Sequence, residues 1–190
     1  ITISNSIGDD SAASFVGAPA GVTLGAAGGA ALIVGNAANP VGTTILSAAS
    51  TYSGGTTLNK GTLRVGNNTA MGGGSLTFAA TSGNILQSGA AGLNVANAIA
   101  LNANGSVDTN GNTFTLSGSI SGINILTKIG TGTLILPNAN LYSGGTHLDV
   151  GTIRVGNNTS LGTNTLTFET NSGNILQSGA AGLTVGNAIV

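Results

Sequence analysis

Residues 52–100 recur nearly unchanged at residues 142–190, and this offset of 90 positions constrains the fold more than any other feature of the sequence. Of the 49 aligned positions, 34 are identical. The stretch from Gly83 to Leu93 returns without a single change at residues 173–183. A fixed period of this fidelity is typical of proteins in which similar structural units stack on their neighbours. We therefore expect a stacked architecture.

The repeat also divides the chain. Residues 52–141 form one whole unit, residues 142–190 form the front half of the next unit, and residues 1–51 form the back half of an earlier one. The sequence before residues 8–41 and the sequence after them both match later parts of the chain, but at offsets that differ by 23 positions. This difference predicts an extra coil or loop of 23 residues within residues 8–41. Because the sequence starts and stops within units, we expect it to be part of a longer protein.

The composition excludes several classes of protein. Charged residues make up only 5% of the chain, and four basic residues against five acidic ones provide no basic patch for nucleic acid. Apolar residues reach 41%, which is enough to bury a core despite 33 glycines. The uncharged stretch at residues 11–59 contains two prolines and many glycines, so we predict no membrane span.

Short apolar runs separated by Gly, Asn, Ser and Thr predict an all-β fold. In runs such as Leu63-Arg64-Val65 and Leu76-Thr77-Phe78, apolar residues alternate with period two, which is typical of half-buried strands. We expect Leu63, Val65, Leu76 and Phe78, with their copies Ile153, Val155, Leu166 and Phe168, to face the interior. Arg64 and Arg154 then face the solvent.

Antiparallel hairpins and a parallel β-helix (a β-solenoid) are both compatible with such strands. Propellers and sandwiches normally have longer strands and more than the 3% of aromatic residues found here. A solenoid suits the chain better, because its backbone pairs with the coils above and below while small residues fill a narrow interior. With coils of roughly 20–23 residues, each 90-residue unit would form about four coils.

Specific stretches of the sequence also resemble a known family. Residues 52–63, their copies at 142–153, and the stretches 108–116 and 126–136 resemble the autotransporter-associated β-strand repeat (passenger-associated transport repeat) of bacterial type V secreted surface proteins. The resemblance implies a right-handed parallel β-helix that is exported through an outer-membrane barrel and displayed outside the bacterial cell. Residues 9–39 lie outside the motif.

The residues capable of catalysis or metal binding are few and scattered. The pair Asp9-Asp10 is far short of the six to eight oxygen ligands that calcium takes, so we interpret it as a solvated turn. Asp149 and Glu169 replace Asn59 and Ala79 of the other copy, so neither belongs to a repeated site. Asp108 is the remaining acidic residue of the chain. We therefore predict no catalytic residues.

His147 is the only histidine, the chain has no cysteine, and Thr57 occupies the equivalent position in the first copy. A metal site or a catalytic triad would lack partners, so we interpret His147 as an exposed polar strand residue. No cofactor is predicted either, since the run Gly72-Gly73-Gly74 lacks the Lys and Ser/Thr of a phosphate loop. Arg64 and Arg154 do recur, which makes them the candidate surface contacts.

These observations favour a non-enzymatic, adhesive or structural stalk of a large bacterial cell-surface or secreted protein. One alternative is a self-assembling extracellular filament, sheath or surface layer made of identical subunits. A second alternative is a β-helix that binds or cleaves glycans at a site outside this sequence. The expected partners are neighbouring coils of the same chain, identical subunits, or a glycan or protein on a host or cell surface.

Overall fold

The structure, a computed structural model, describes residues 2–4, 6–8, 22–25, 29–35, 42–79, 83–170 and 173–190. These residues form short strands connected by turns, and no helix among them is long and apolar enough to cross a membrane. The strands are β1 (Thr2–Ile3), β2 (Val22–Gly25), β3 (Ala31–Val34), β4 (Thr43–Leu46), β5 (Thr56–Leu58), β6 (Gly61–Val65), β7 (Leu76–Phe78), β8 (Asn84–Ser88), β9 (Leu93–Val95), β10 (Ile99–Leu101), β11 (Gly105–Asp108), β12 (Thr113–Leu116), β13 (Ile120–Gly122), β14 (Leu126–Ile129), β15 (Thr133–Leu136), β16 (Thr146–Leu148), β17 (Thr152–Val155), β18 (Leu166–Phe168) and β19 (Ile175–Ser178).

The strands form three sheets, which we call faces A, B and C. Face A has the order β1-β4-β6-β8-β11-β14-β16-β18, face B the order β13-β10-β7-β5-β3-β2, and face C the order β19-β17-β15-β12-β9. From β7 to β15 the chain visits faces B, A and C in turn, so each passage makes one coil of a three-sided solenoid. Among the described strands, every pair except β2–β3 is parallel. The predicted β-solenoid is confirmed.

Pairing between coils follows a nearly constant spacing. Leu63 pairs with Leu86, and Leu86 pairs in turn with Val107, so each coil returns to the same register position after a similar length of chain. Glycine and asparagine make the corners between the faces, and Asn110 is a non-glycine residue with a positive φ, of 49°. The coil length is therefore close to the one predicted from the sequence.

Inward-facing side chains form one continuous apolar core, because alternate residues of every strand point to the same side. Leu63, Val65, Leu76 and Phe78 are fully buried, as predicted. In the second copy Ile153, Val155 and Leu166 are also buried, while Phe168 is half-buried against the core. Arg64 is half-buried and Arg154 is exposed. The predicted strand register is confirmed.

The two copies of the repeat lie on different faces. Strands β5 and β7 belong to face B, whereas their copies β16 and β18 belong to face A. Similarly, β6 and β8 belong to face A, and their copies β17 and β19 to face C. The same register position of face B is occupied in four successive coils by Leu58, Phe78, Leu101 and Gly122. The mean spacing between these residues is the length of one coil, and it is slightly shorter than a quarter of the 90-residue repeat. One repeat unit is thus four coils plus one further face in length. The second copy is therefore rotated by one face about the solenoid axis relative to the first.

The region of the predicted extra coil or loop departs from this pattern. Val22–Gly25 runs antiparallel to Ala31–Val34 at the end of face B. Thr2–Ile3 pairs directly with Ile45 and Leu46, so no strand of another coil lies between them on face A. Residues 9–21, 26–28 and 36–41 lie outside the described part of the chain, so the choice between coil and loop stays a prediction, as do the unit boundaries.

Candidate functional site

The two arginines that the repeat singled out do not come together. Arg64 lies on face A, beside Ile45 and Gln87 of the neighbouring coils. Arg154 lies on face C, beside Ile135 and Gln177. The rotation of the second copy therefore separates two residues that are equivalent in sequence, and they do not form one basic patch. Whether either arginine contacts a ligand stays a prediction.

Acidic residues and the histidine form no metal-binding cluster in the described part of the chain, where no three such groups converge. Asp9 and Asp10 lie outside the described residues. Asp108 is held on face A by Gln87, whose Nε2 donates to its Oδ2 at 2.8 Å. These carboxylates are thus placed along the surface of the solenoid rather than around a shared point.

His147 has a partner that the sequence analysis missed. Its Nδ1 lies 2.8 Å from Oε1 of Glu169, and the two side chains are 32% and 39% exposed. His147 is in β16, and Glu169 follows β18, the next strand on face A. Both residues replace uncharged ones of the first copy, Thr57 and Ala79. Their separation of 22 positions, which is about one coil, is the sequence signal that could have paired them.

Lys128 is the one charged side chain found in the core of the described residues. It is in the inward register position of β14, between Val107 and Leu148. Its Nζ donates to the backbone oxygens of Ile129, Gly130 and Val150, at 2.9, 2.5 and 2.9 Å. These three bonds close a corner of the coil from the inside.

Burial lowers the pKa of Lys128 from 10.5 to about 8, while the nearby carboxylates of Asp108 and Asp149 act in the opposite direction. A lysine with a lowered pKa can serve as a nucleophile when a substrate reaches it. Lys128, however, is fully buried and holds three backbone carbonyls. We therefore assign it a structural role at the corner of the coil.

Comparison with known proteins gives two findings. The family model described as passenger-associated-transport-repeat matches residues 41–65 and 126–155. The adhesin BmaC autotransporter of Brucella suis biovar 1 (strain 1330) is 44% identical over 64 residues, which is 34% of this chain. The chain spans only 2% of the length of that relative. No solved structure matches the chain.

The two matched segments coincide with structural features already described. Residues 41–65 contain β4, β5 and β6, and residues 126–155 contain β14 to β17, so each match covers more than one coil. The segments also overlap the stretches whose sequence resembled an autotransporter repeat. Residues 41–65 and 126–155 are therefore similar in sequence to the passenger-associated transport repeat, and both segments lie in the solenoid described above.

Proposed function

We propose that this chain is a rigid stalk segment of a bacterial surface adhesin, with a structural rather than an enzymatic role. The observation that carries the proposal is the uninterrupted pairing of face A, in which eight strands follow one another from β1 to β18. Each coil adds about 4.8 Å along the axis, so length is gained simply by adding units. The passenger repeat and the autotransporter relative support a cell-surface or secreted location.

The outer surfaces of the solenoid suit a spacer. On face B the outward residues are Ile33, Thr57, Thr77, Ala100 and Ser121, one from each successive coil. They are small or uncharged, and they pair along the axis. Such a surface requires no ligand to be stable. The relative is named an adhesin, which supports an adhesive role for the protein that this stalk segment belongs to.

A deletion in the full-length protein tests the stalk role. Removal of residues 52–141 joins Thr51 to Tyr142, which re-creates the sequence of the Thr51–Tyr52 junction. We expect the protein to remain folded and the surface projection to shorten by roughly 20 Å, the height of about four coils. Electron microscopy of the secreted protein would measure this length.

The matched control is a deletion of residues 57–147, which removes one position more than the repeat and joins Thr56 to Leu148 within a strand. It should fold poorly, because a slip of one position turns inward side chains of that strand outward. An unchanged projection length after the first deletion would overturn the stalk role. A continuous ordered layer around the cell, instead of separate projections, would favour the self-assembling sheath.

A further inference from the structure

The strongest unexplained feature of the structure is an uncharged surface cleft that occurs twice. The first cleft has a volume of about 160 Å³ and is lined by Asn68, Thr69, Gly72, Gly73, Ala96 and Asn97. The second has a volume of about 350 Å³ and is lined by Asn158, Thr159, Gly162, Thr163, Thr184, Gly186 and Asn187. Every lining position of the first cleft has its copy, 90 positions later, in the second. The cleft is therefore a property of the repeat.

Both clefts form where a turn takes the place of a strand. The turn after β6 lies next to β9, the terminal strand of face C, and Oδ1 of Asn68 accepts a hydrogen bond from the backbone N of Asn94 at 2.8 Å. In the second copy, Oδ1 of Asn158 accepts from the backbone N of Thr184 at 2.9 Å. The asparagine side chain thus satisfies a backbone donor that a strand would otherwise pair.

The walls of the cleft are fixed by further bonds. Oδ1 of Asn67 accepts from the N and the Oγ1 of Thr69, at 3.0 and 3.1 Å, and Asn157 holds Thr159 in the same way. On the opposite wall, Nδ2 of Asn97 donates to the backbone oxygens of Gly72 and Gly74. The lining side chains are therefore held in place before any ligand binds.

The floor requires glycine. Gly72 has a φ of 62° and Gly162 a φ of 67°, and a Cβ on either would overlap the backbone oxygen of the buried Tyr52 or Tyr142. The close approach of the turn to the tyrosine sets the depth of the cleft. The copies also differ in lining and in size: Thr163 replaces Gly73, Gly186 replaces Ala96, and the second cleft is the larger one.

The lining determines what kind of ligand would fit. It contains amide and hydroxyl groups, backbone and glycine, with no charged and no aromatic residue. Asn68 is exposed, and since its Oδ1 bonds the backbone, its Nδ2 is the group left to donate to a ligand. The second cleft, at about 350 Å³, is at the lower end of the range for small-molecule sites, roughly 300–1,000 Å³, and the first, at about 160 Å³, is below that range.

We propose that each repeat unit carries one binding site for a neutral saccharide residue, formed by the turn at residues 68–73 with residues 94–97, and by their copies at residues 158–163 and 184–187. A hydroxyl-rich, uncharged ring matches the amide, hydroxyl and carbonyl groups of the lining, whereas a charged ligand would find no counter-ion. This inference goes beyond the stalk role, which does not depend on it.

The rotation of the repeat gives this site a particular arrangement. The first cleft lies beside β9 of face C, whereas the turn of the second follows β17 of face C, so the second cleft is on a different side of the solenoid. Successive units would therefore present sites in different directions around the axis. Weak single sites arranged in this way gain strength through multivalent attachment to a glycan surface.

Nuclear magnetic resonance of the full chain tests the proposal with three neutral probes, maltotriose, cellotriose and triacetylchitotriose, and one charged probe, trigalacturonic acid. We expect at least one neutral probe to shift the backbone amides of both clefts and trigalacturonic acid to shift neither. Absence of shifts with all three neutral probes, or equal shifts with the charged one, would overturn the proposal.

Blocking variants make the test specific. No atom lies within 4 Å of a Cβ built on Gly73 or Gly186, so Gly73→Leu and Gly186→Leu should fill their clefts without strain. Each should abolish the shifts of its own cleft and leave the other unchanged. Gly42→Leu is the matched control, because Gly42 is equally open and lies outside both clefts. Binding that survives both blocking substitutions would refute this location, while the projection length would still test the stalk role separately.

Discussion

The first copy of the repeat, residues 52–100, and the second, residues 142–190, share their core but differ in what surrounds them. Inward residues are identical or conservatively changed, as with Leu63 and Ile153, because they fill the same narrow interior. The outward differences are coupled across neighbouring coils. Thr57 and Ala79 become His147 and Glu169, which are hydrogen-bonded to each other. A solenoid thus couples residues about one coil apart in sequence.

A second coupled difference concerns a corner. In the first copy Leu58 pairs with Val34, and Nδ2 of Asn59 donates to the backbone oxygen of Gly35 at 3.1 Å. In the second copy Leu148 pairs with Lys128. Asp149 replaces Asn59, and its carboxylate has no N–H with which to make the same bond. The ammonium group of Lys128 supplies hydrogen bonds at this corner instead. At this corner a backbone oxygen accepts a side-chain hydrogen bond in both copies, but the donor is Asn59 in the first and Lys128 in the second.

The largest expected difference between the copies concerns one leucine. In a chain of these 190 residues, Leu86 is fully buried beneath the next coil, whereas its copy Leu176 is in the terminal strand of face C and is half-buried. We expect Leu86→Ala to cost about 2–5 kcal/mol and Leu176→Ala about 1 kcal/mol, because the cost scales with the apolar area removed from the core. Hydrogen exchange of the amides in adjacent coils would measure both locally.

Arg64→Ala is the control for the leucine variants and should change stability by no more than about 0.5 kcal/mol, as expected for an outward side chain. Equal costs for the two leucine substitutions would show that the last described coil is covered as completely as the inner ones. The two copies would then not differ in how completely this core leucine is covered.

The next largest effect concerns pH and Lys128. Its pKa is about 8 in the folded chain and about 10.5 when unfolded, so between these values the unfolded state binds more protons. The free energy of unfolding should therefore rise with pH across this window, by roughly 2–3 kcal/mol in total. In Lys128→Met this contribution should be absent, which urea denaturation at several pH values would detect.

Two further variants sharpen the pH experiment. Leu148→Met changes the neighbouring core residue without a charge and should keep the wild-type slope. Asp149→Asn copies the first unit and removes a carboxylate that raises the pKa of Lys128, so the rise should begin at a lower pH. An identical pH dependence in the wild type and Lys128→Met would contradict the assigned cause.

The buried tyrosines provide a smaller test. The hydroxyl of Tyr52 lies 2.5 Å from Oγ1 of Thr56, and that of Tyr142 lies 2.5 Å from Oγ1 of Thr146. Thr146 also donates to the backbone oxygen of Leu161 at 3.1 Å, so it keeps a partner when the tyrosine hydroxyl is removed. We expect Tyr52→Phe to cost about 1–3 kcal/mol and Tyr142→Phe about 1 kcal/mol. Denaturant unfolding of both variants checks this order, and the reverse order would refute it.

The sequence was sufficient to predict the solenoid and the inward register, because both follow from the fixed repeat and the period-two alternation of residues such as Leu63 and Val65. It was not sufficient for the rotation of the second copy, since successive coils differ slightly in length and only their pairing shows where a face ends. The sequence analysis made no prediction for Lys128, because burial of a lysine requires partners such as its three backbone carbonyls, and only the folded structure shows these.

The candidate site was harder to predict for a physical reason. Residues that line the clefts, such as Asn68 and Asn97, are typical of turns, and their spacing becomes informative only once the coil length is known. The same holds for His147 and Glu169, which meet because one coil brings them together. Arg64 and Arg154 were singled out by recurrence alone, and recurrence does not place two residues on one face when the unit is not a whole number of coils.

The smallest predicted effect concerns the pair of His147 and Glu169. Both side chains are about one-third exposed, so water and salt screen their interaction, and we expect a coupling energy of about 0.2–1 kcal/mol. The variants His147→Thr, Glu169→Ala and the double substitution restore the residues of the first copy step by step. A double-mutant cycle at low and high salt isolates the interaction, since it should shrink as salt is added. Zero coupling would mean that the two differences between the copies arose independently. A loss of a specific activity in His147→Thr would instead give this residue a chemical role and would contradict the structural interpretation of the chain.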